Sequence, residues 1–251
     1  MDLFLTGGRV FYALAIFAFG IQHLIYAGLG KGIGPPWFPH GPVSADAVGI
    51  VFLVSGALLV VGRRVQAAAT ACGAVLLLVF LLLHLPQVVG HLRDGGIRTS
   101  AFEVLALSGG AFVLAGASKS AGQNAYSSLA TVGRFFLAFA MLVFGINHLL
   151  YMQFVASLIP FWVPGHVFLT YFTAFGFIAA ALAIAVNVWS QLAAALLGLM
   201  FFLWVVMLHA PRVAAQAHDG KEWTSLFVAL AMCGASFALA RPRSLHIHSS
   251  C

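Results

Sequence analysis

The chain has 251 residues, of which 62% are hydrophobic and only 7% are charged, and its mean hydropathy is +1.03. A water-soluble domain carries about 25% charged residues, so the composition excludes a soluble protein and predicts an integral membrane protein. The formal charge of +6 does not indicate a nucleic-acid partner, because the Lys and Arg residues are scattered at the ends of apolar stretches, as membrane-flanking charges are.

Eight apolar stretches approach or exceed the length of about 20 residues that a helix needs to cross the hydrocarbon core. In chain order they cover about 9–28, 46–62, 66–89, 101–117, 131–152, 167–187, 191–211 and 223–240. We expect the first to be a retained helix rather than a signal peptide, because it follows Asp2 and lacks an A-x-A cleavage site. Long continuous runs disfavour a transmembrane β-barrel. The predicted fold class is therefore an all-α polytopic membrane protein with eight transmembrane helices.

A repeat divides the chain into two halves. A shift of 125 residues places His23 on His148 and His84 on His209, and eleven of nineteen positions are identical between 8–26 and 133–151. We therefore predict a tandem duplication, with a four-helix unit at 1–117, a linker at 118–130, a second four-helix unit at 131–240 and a C-terminal tail at 241–251. Because each unit has an even number of helices, both point the same way. This predicts two parallel-repeat four-helix bundles related by an axis along the membrane normal.

The charges of the loops predict the orientation in the membrane. With eight spans, the side that holds both termini carries seven basic residues and one acid, whereas the other side carries five basic residues and five acids. The positive-inside bias places both termini in the cytoplasm. Glu103 is counted here with the acids of the opposite, outer side.

Histidines gather near the predicted outer side, where eight of the ten lie in helix ends or in adjoining loops. Four of them fall inside predicted helices. A neutral imidazole can ligate haem iron, coordinate a metal ion, or hydrogen-bond a quinone carbonyl and relay its proton. We predict these four as cofactor-binding residues and as candidate metal ligands: His23, His84, His148 and His209. We also expect the first two to approach each other in one bundle and the last two in the other.

Other polar side chains accompany these histidines. An amide directly precedes the histidine of the first and of the fifth helix, about 100° away around the helix, and a tyrosine follows three residues later. On the third helix a glutamine and a further histidine share the face of His84, and an arginine takes the glutamine position in the second half. These side chains complete the predicted cofactor-binding set: Gln22, Asn147, Tyr26, Tyr151, Gln87, His91 and Arg212.

One half reads G-R-x-F at the start of its first helix, then F-G-I-x-H-L-x-Y, a loop with proline and tryptophan, a second helix rich in small residues, and L-H-x-P in the third helix. This pattern resembles the DoxX-like family of four-helix bacterial membrane proteins, and the chain looks like two such units fused over nearly its whole length. The resemblance implies a redox setting in the bacterial cytoplasmic (inner) membrane, since DoxX-like proteins include a membrane subunit of a thiosulfate:quinone oxidoreductase. It implies no catalytic residue.

Three functions remain open. The first is a membrane subunit of a redox system that binds quinone or haem b near its outer face, in contact with membrane lipid and a redox partner protein. The second is a small-solute transporter, against which no predicted span shows an acid or base near the middle of the membrane. The third is a structural anchor for a partner protein, in which the histidines only hold helices together. No Walker, Rossmann or nucleophile-elbow pattern supports nucleotide or hydrolytic chemistry, and enzyme activity and homo-oligomer formation are left open.

Overall fold

The computed structural model describes residues 3–27, 42–117 and 124–241, and every regular element within these ranges is a helix. This confirms the all-α fold class for the described part of the chain. One π-helical turn joins α3 to α4 at Phe80–His84, and another joins α9 to α10 at Val205–His209. The α-helices are α1 (Leu3–Ala27), α2 (Pro42–Val61), α3 (Val65–Val79), α4 (Leu85–Gly90), α5 (Gly95–Ala117), α6 (Asn124–Leu150), α7 (Met152–Leu158), α8 (His166–Val186), α9 (Ser190–Trp204), α10 (Ala210–Ala215) and α11 (Gly220–Leu239).

Seven helical stretches in the described ranges are long and apolar enough to cross a membrane, and they identify an integral membrane protein. α2 contributes a shorter apolar stretch, Ala45–Val61. Each coincides with a predicted stretch, but the fourth predicted helix begins at Gly95 rather than near 101, and the fifth begins at Asn124 rather than near 131. The seven stretches are Leu3–Ile25, Val65–Gly90, Gly95–Ala117, Ser128–Leu150, His166–Val186, Ser190–Ala215 and Gly220–Leu239.

Two of these stretches contain a π turn just before a proline, Pro86 in one and Pro211 in the other. A proline ring has no N–H and collides with the carbonyl four residues back in a regular helix. The wider π turn accommodates the ring without ending the helix. Both turns end at a histidine that the sequence analysis singled out, His84 or His209. The bonds that define the turns run from Leu85 N to Phe80 O and from Ala210 N to Val205 O.

The two halves of the chain interlock. α1 packs against α2 of its own half and against α11 of the other half, whereas α6 packs against α8 of its own half and against α5 of the other. α5 and α11 contact each other at the centre, and every residue from Leu105 to Ala115 is buried. The described helices therefore form one bundle in which the two halves interlock, and the arrangement as two four-helix bundles stays a prediction.

Glycine permits this interlocking at both crossings between the halves. A Cβ atom at Gly8 of α1 would lie 2.6 Å from the carbonyl oxygen of Gly234 in α11, and a Cβ atom at Gly109 of α5 would lie 2.7 Å from the carbonyl oxygen of Gly133 in α6. Any larger side chain would push the helices apart, as at other membrane helix contacts built on small residues. Gly8 and Gly133 are 125 positions apart, as are Gly109 and Gly234, so equivalent residues make both crossings.

Candidate functional site

A cavity of about 150 Å³ lies inside the bundle, between α5, α6, α8, α9 and α11 and beside the second π turn. We call it the inner cavity. A protein cavity of roughly 150 Å³ can take up one benzene molecule, so a single six-membered ring fits the space. Three titratable side chains face it, Glu103, His148 and His209, and aromatic side chains form much of its wall: Phe144, Phe177, Phe201 and Trp204.

His148 reaches the inner cavity from the last turn of α6. Its Nδ1 lies 2.8 Å from the carbonyl oxygen of Phe144, and because a carbonyl only accepts, Nδ1 is the donor. In the neutral ring this leaves Nε2 as an acceptor. The ring stands edge-on to Phe177, with centroids 5.2 Å apart, and stacks on Trp204 at 6.1 Å. Three neighbours thus fix its orientation.

His23 has the same local geometry in the first half. Its Nδ1 donates to the carbonyl oxygen of Phe19 over 2.8 Å, and its ring stands edge-on to Phe52 at 5.4 Å. The position equivalent to Trp204 is Val79, so the stacking partner of His148 has no counterpart there. The repeated imidazole therefore keeps its backbone hydrogen bond while its surroundings differ between the halves.

His209 enters the inner cavity from the end of the second π turn. Its Nδ1 atom is buried and makes no hydrogen bond to any residue that the structure describes. A buried polar atom without a partner costs about 1–3 kcal/mol, so such atoms are rare and need a reason. The structure thus brings His148 and His209 to one cavity, and the predicted close approach of their imidazoles stays a prediction.

Asn147 also lines the inner cavity, whereas the remaining predicted site residues lie elsewhere. His84 ends the first π turn and is half-buried, and its predicted approach to His23 stays a prediction. Gln87 and His91 lie on the outside of α4 and its end, where the His91 Nδ1 donates to the Gln87 carbonyl oxygen over 3.1 Å. Arg212 donates from Nη2 to the carbonyl oxygen of Leu158 over 2.7 Å and so caps α7. The side chain of Tyr26 lies outside the described part of the chain.

Asn147 faces the start of α5. It is 5% exposed, and its Oδ1 accepts from Nε of Arg98 over 2.9 Å and also from Nη2 of the same side chain. Its Nδ2 donates to Thr99 Oγ1 over 3.0 Å and more weakly to the Gly95 carbonyl oxygen at 3.5 Å. Tyr151 lies under Arg98 at 5.7 Å and donates from its hydroxyl to the Arg93 carbonyl oxygen over 2.5 Å. This cluster ties α6 of one half to α5 of the other.

Gln22 makes the corresponding tie between α1 and α11 with longer bonds. Its Nε2 lies 3.5 Å from the carbonyl oxygen of Gly220, and the Thr224 hydroxyl lies 3.4 Å from its Oε1. The two partners are the residues equivalent to Gly95 and Thr99. The amide and the imidazole stand side by side because they face different neighbours. The amide joins the two halves, and in the second half both Asn147 and His148 also line the inner cavity.

Glu103 is the site residue that the sequence analysis missed. Because α5 begins at Gly95, Glu103 lies eight residues inside the helix, about 12 Å from its start at 1.5 Å per residue. It faces the inner cavity and makes no hydrogen bond or ion pair with any described residue. Glu103 therefore lies inside the span Gly95–Ala117 and not among the acids of a loop, which weakens the objection that no span shows an acid near the middle of the membrane. Asp94 could have revealed it, because its carboxylate caps the helix start by accepting from Gly96 N.

The space and the ligand groups of the inner cavity limit what it can bind. A porphyrin with four pyrrole rings is several times larger than one benzene ring, whereas the inner cavity takes up about one six-membered ring. Within the described ranges no three His, Cys, Asp or Glu side chains are grouped closely enough to hold a metal ion. Comparison of the chain with family models, with curated proteins and with solved structures finds no significant match.

Proposed function

We propose that this protein is an integral membrane subunit of a redox system that binds the head group of a quinone in the inner cavity. The observation that carries the proposal is the pair His148 and His209 beside a space that fits one six-membered ring. A quinone head group is a flat ring with two carbonyl oxygens, which become hydroxyl groups on reduction. Aromatic walls suit such a ring, because offset and edge-on contacts between rings are favourable.

The histidines offer complementary groups to the two redox forms. The Nδ1–H of His148 is held by the Phe144 carbonyl oxygen, so Nε2 accepts from a hydroxyl when neutral and donates to a carbonyl when protonated. His209 lines the same space, and its imidazole can accept from a hydroxyl when neutral and donate to a carbonyl when protonated. A bound quinone would supply the oxidation and reduction chemistry, and the two imidazoles would orient it and exchange its protons.

The proposal extends to the architecture and the setting. We infer that α2 is the eighth span, that the chain is a parallel duplication of a DoxX-like four-helix unit, and that it resides in a bacterial cytoplasmic membrane with both termini in the cytoplasm. Three structural features support this, because each occurs twice, at positions 125 residues apart. They are the glycine crossings, the π turns and the hydrogen bonds from a histidine to a backbone carbonyl. A redox partner protein would exchange electrons with the bound quinone.

The test measures quinone binding to the purified protein in detergent. The protein is titrated with decylubiquinone, and the quenching of its tryptophan fluorescence reports the bound fraction. We expect His148→Ala and His209→Ala to weaken binding about tenfold each, since one hydrogen bond is worth roughly 1.4 kcal/mol or less in such a site. The matched control is His91→Ala, an exposed histidine away from the cavity, which should bind as the wild type does. Equal affinities in all four proteins would contradict the proposal, and a Soret band in the purified protein would replace quinone with haem.

A second function, small-solute transport, is favoured by Glu103, since an ionisable residue inside a span commonly marks a proton or substrate path. Liposomes that contain the protein and a trapped pH-sensitive dye test it. Dissipation of an imposed pH gradient that requires Glu103, and that occurs without quinone, would favour transport. No such dissipation is expected from a quinone-binding subunit.

A further inference from the structure

Glu103 stands where the two halves of the chain face each other. It belongs to α5 of the first half, whereas His148 and His209 belong to the second half. The position equivalent to Glu103 is Val228 of α11, and Val228 lines the same inner cavity. The cavity is therefore built from both halves, and the acid enters it from one central helix only.

Among the residues that the structure describes, no basic side chain makes an ion pair with this carboxyl. The titratable groups that face the cavity besides Glu103 are His148 from α6 and His209 from the second π turn, and α8, α9 and α11 contribute no charged residue to its lining. The nearest arginine along α5 is Arg98, which has other partners. It donates hydrogen bonds to Asn147 and to the Leu92 carbonyl oxygen, and it lies over the ring of Tyr151. Arg212, three residues after His209 in sequence, donates to the Leu158 carbonyl oxygen.

An ionised carboxylate without a cation is very unfavourable in an apolar interior, and such groups take up a proton instead. A carboxylic acid can both donate and accept a hydrogen bond. Beside two imidazoles, one of which has a buried nitrogen without a partner, it forms a short set of groups that can hold and pass a proton. Chains of Glu and His inside membrane spans commonly do this.

We propose that Glu103 is the proton-binding residue of the inner cavity: a neutral acid that exchanges its proton with a ligand in the cavity and with His148 or His209. The assignment of that ligand as a quinone rests on the proposed function above. When a bound quinol loses its electrons to a redox partner protein, its two hydroxyl protons must leave. The neutral imidazoles would accept them first. The carboxyl would pass them on by releasing its own proton where Ser225, an exposed residue of the cavity lining, marks the opening, and by then taking the next proton from an imidazolium.

The test uses dicyclohexylcarbodiimide, an apolar reagent that adds to protonated carboxyl groups. The acid proton moves to a carbodiimide nitrogen, the carboxyl oxygen bonds to the central carbon, and an acyl shift to nitrogen gives a stable N-acylurea with no leaving group. Glu222 is the matched internal control, because it is the other glutamate of the chain and lies in the first turn of α11. A carboxyl protonated in a tenfold larger fraction should be labelled about tenfold faster, and peptide mass spectrometry measures both sites at once.

We expect Glu103 to be labelled at least about tenfold faster than Glu222 at pH 7, and a water-soluble carbodiimide with a glycine ester to reverse this order. Equal or slower labelling of Glu103 by the apolar reagent overturns the inference. This measurement needs no variant and no quinone, so it stands even if the proposed function fails.

A second measurement links the residue to the ligand. Decylubiquinone should slow the labelling of Glu103 and not that of Glu222. The affinity for decylubiquinone should depend on pH in the wild type and in Glu103→Asp, and this dependence should be reduced or lost in Glu103→Gln. If quinone binds the wild type but Glu103→Gln keeps its full pH dependence, the role of Glu103 is refuted while the quinone site stands. If quinone does not bind, the proposed function fails and the labelling ratio alone decides on Glu103.

Discussion

Two amides that occupy equivalent positions should differ in how much they stabilise the protein. Asn147 accepts two hydrogen bonds from the Arg98 guanidinium and donates one to Thr99 Oγ1 over 3.0 Å. The two bonds that join Gln22 to α11 are 3.5 Å and 3.4 Å long, which is beyond the usual range for hydrogen bonds. Asn147→Ala should therefore destabilise the protein more than Gln22→Ala.

The size of the difference follows from the partners. A hydrogen bond between membrane helices is worth about 0.6 kcal/mol on average and up to about 1.7 kcal/mol, whereas a bond to a charged group is worth about 1.5–3 kcal/mol. Asn147→Ala removes one neutral bond and leaves the Nε and Nη2 groups of a partly buried guanidinium without their acceptor, so we expect a loss of about 2–4 kcal/mol. Gln22→Ala should cost less than about 1 kcal/mol, because only weak neutral bonds are lost.

The assay is reversible unfolding in mixed detergent micelles, with the free energy of unfolding compared among variants. Asn147→Asp is the matched control: it keeps the acceptor that faces Arg98 and loses only the donor to Thr99, so most of the stability should return. The reasoning would be refuted by a Gln22→Ala loss that equals or exceeds that of Asn147→Ala. It would also be refuted if Asn147→Asp were as unstable as Asn147→Ala.

Three further outcomes can be measured with the same methods. Gly133→Ala should destabilise the protein by about 1–3 kcal/mol through overpacking, since its Cβ would lie 2.9 Å from Val113 N. Gly176→Ala in α8 should stabilise it by about 0.5–1 kcal/mol, because a Cβ there meets nothing within 4 Å. Equal effects of the two substitutions would contradict the close helix crossing at Gly133. His209→Phe should stabilise the ligand-free protein by up to about 1–3 kcal/mol, because it removes a buried nitrogen without a partner. The same substitution should weaken decylubiquinone binding. A loss of stability would mean that His209 holds helices together instead. Trp204→Val introduces the residue found at the equivalent position of the first half, Val79. It should weaken decylubiquinone binding about threefold to tenfold, because it removes ring contacts worth about 0.5–1.5 kcal/mol. An unchanged affinity would argue against a bound ring in the cavity.

Much of the fold could be predicted because a membrane span depends on length and hydropathy, which are local properties of a sequence. The predicted stretch at 66–89 corresponds to the span Val65–Gly90, and that at 167–187 corresponds to His166–Val186. Helix starts were less well predicted where polar residues lie inside the helix. Gly95 to Ser100 read as loop by composition, yet Asp94 caps this turn and Arg98 is bound to Asn147. The polar turn is helical because the other half of the chain supplies its partners.

The candidate site was harder to predict, because it depends on which helices are neighbours. The histidines were identified from the repeat, and two of them share the inner cavity. Glu103 could not be connected with them, because α5 packs against α6 of the other half through the contact of Gly109 with Gly133. That contact comes from two glycines 24 positions apart in the chain, and no pattern within either half indicates it. The cavity itself follows from the neighbours, so it too lay beyond the sequence.

The proposed fusion of two units would give this site a property that a pair of separate, identical units could not have. In a symmetric dimer the residue at the Glu103 position would occur twice, once on each central helix. Since Glu103 and Val228 both line the inner cavity, two carboxyls would then face one apolar space, where like charges are strongly unfavourable. In the fused chain one central helix carries the acid and the other carries valine. Glycine crossings and imidazole-to-carbonyl bonds recur in both halves, whereas the residues at 103 and 228, and at 79 and 204, differ. The repeated features build the bundle, and the differing ones make a single acidic site in it.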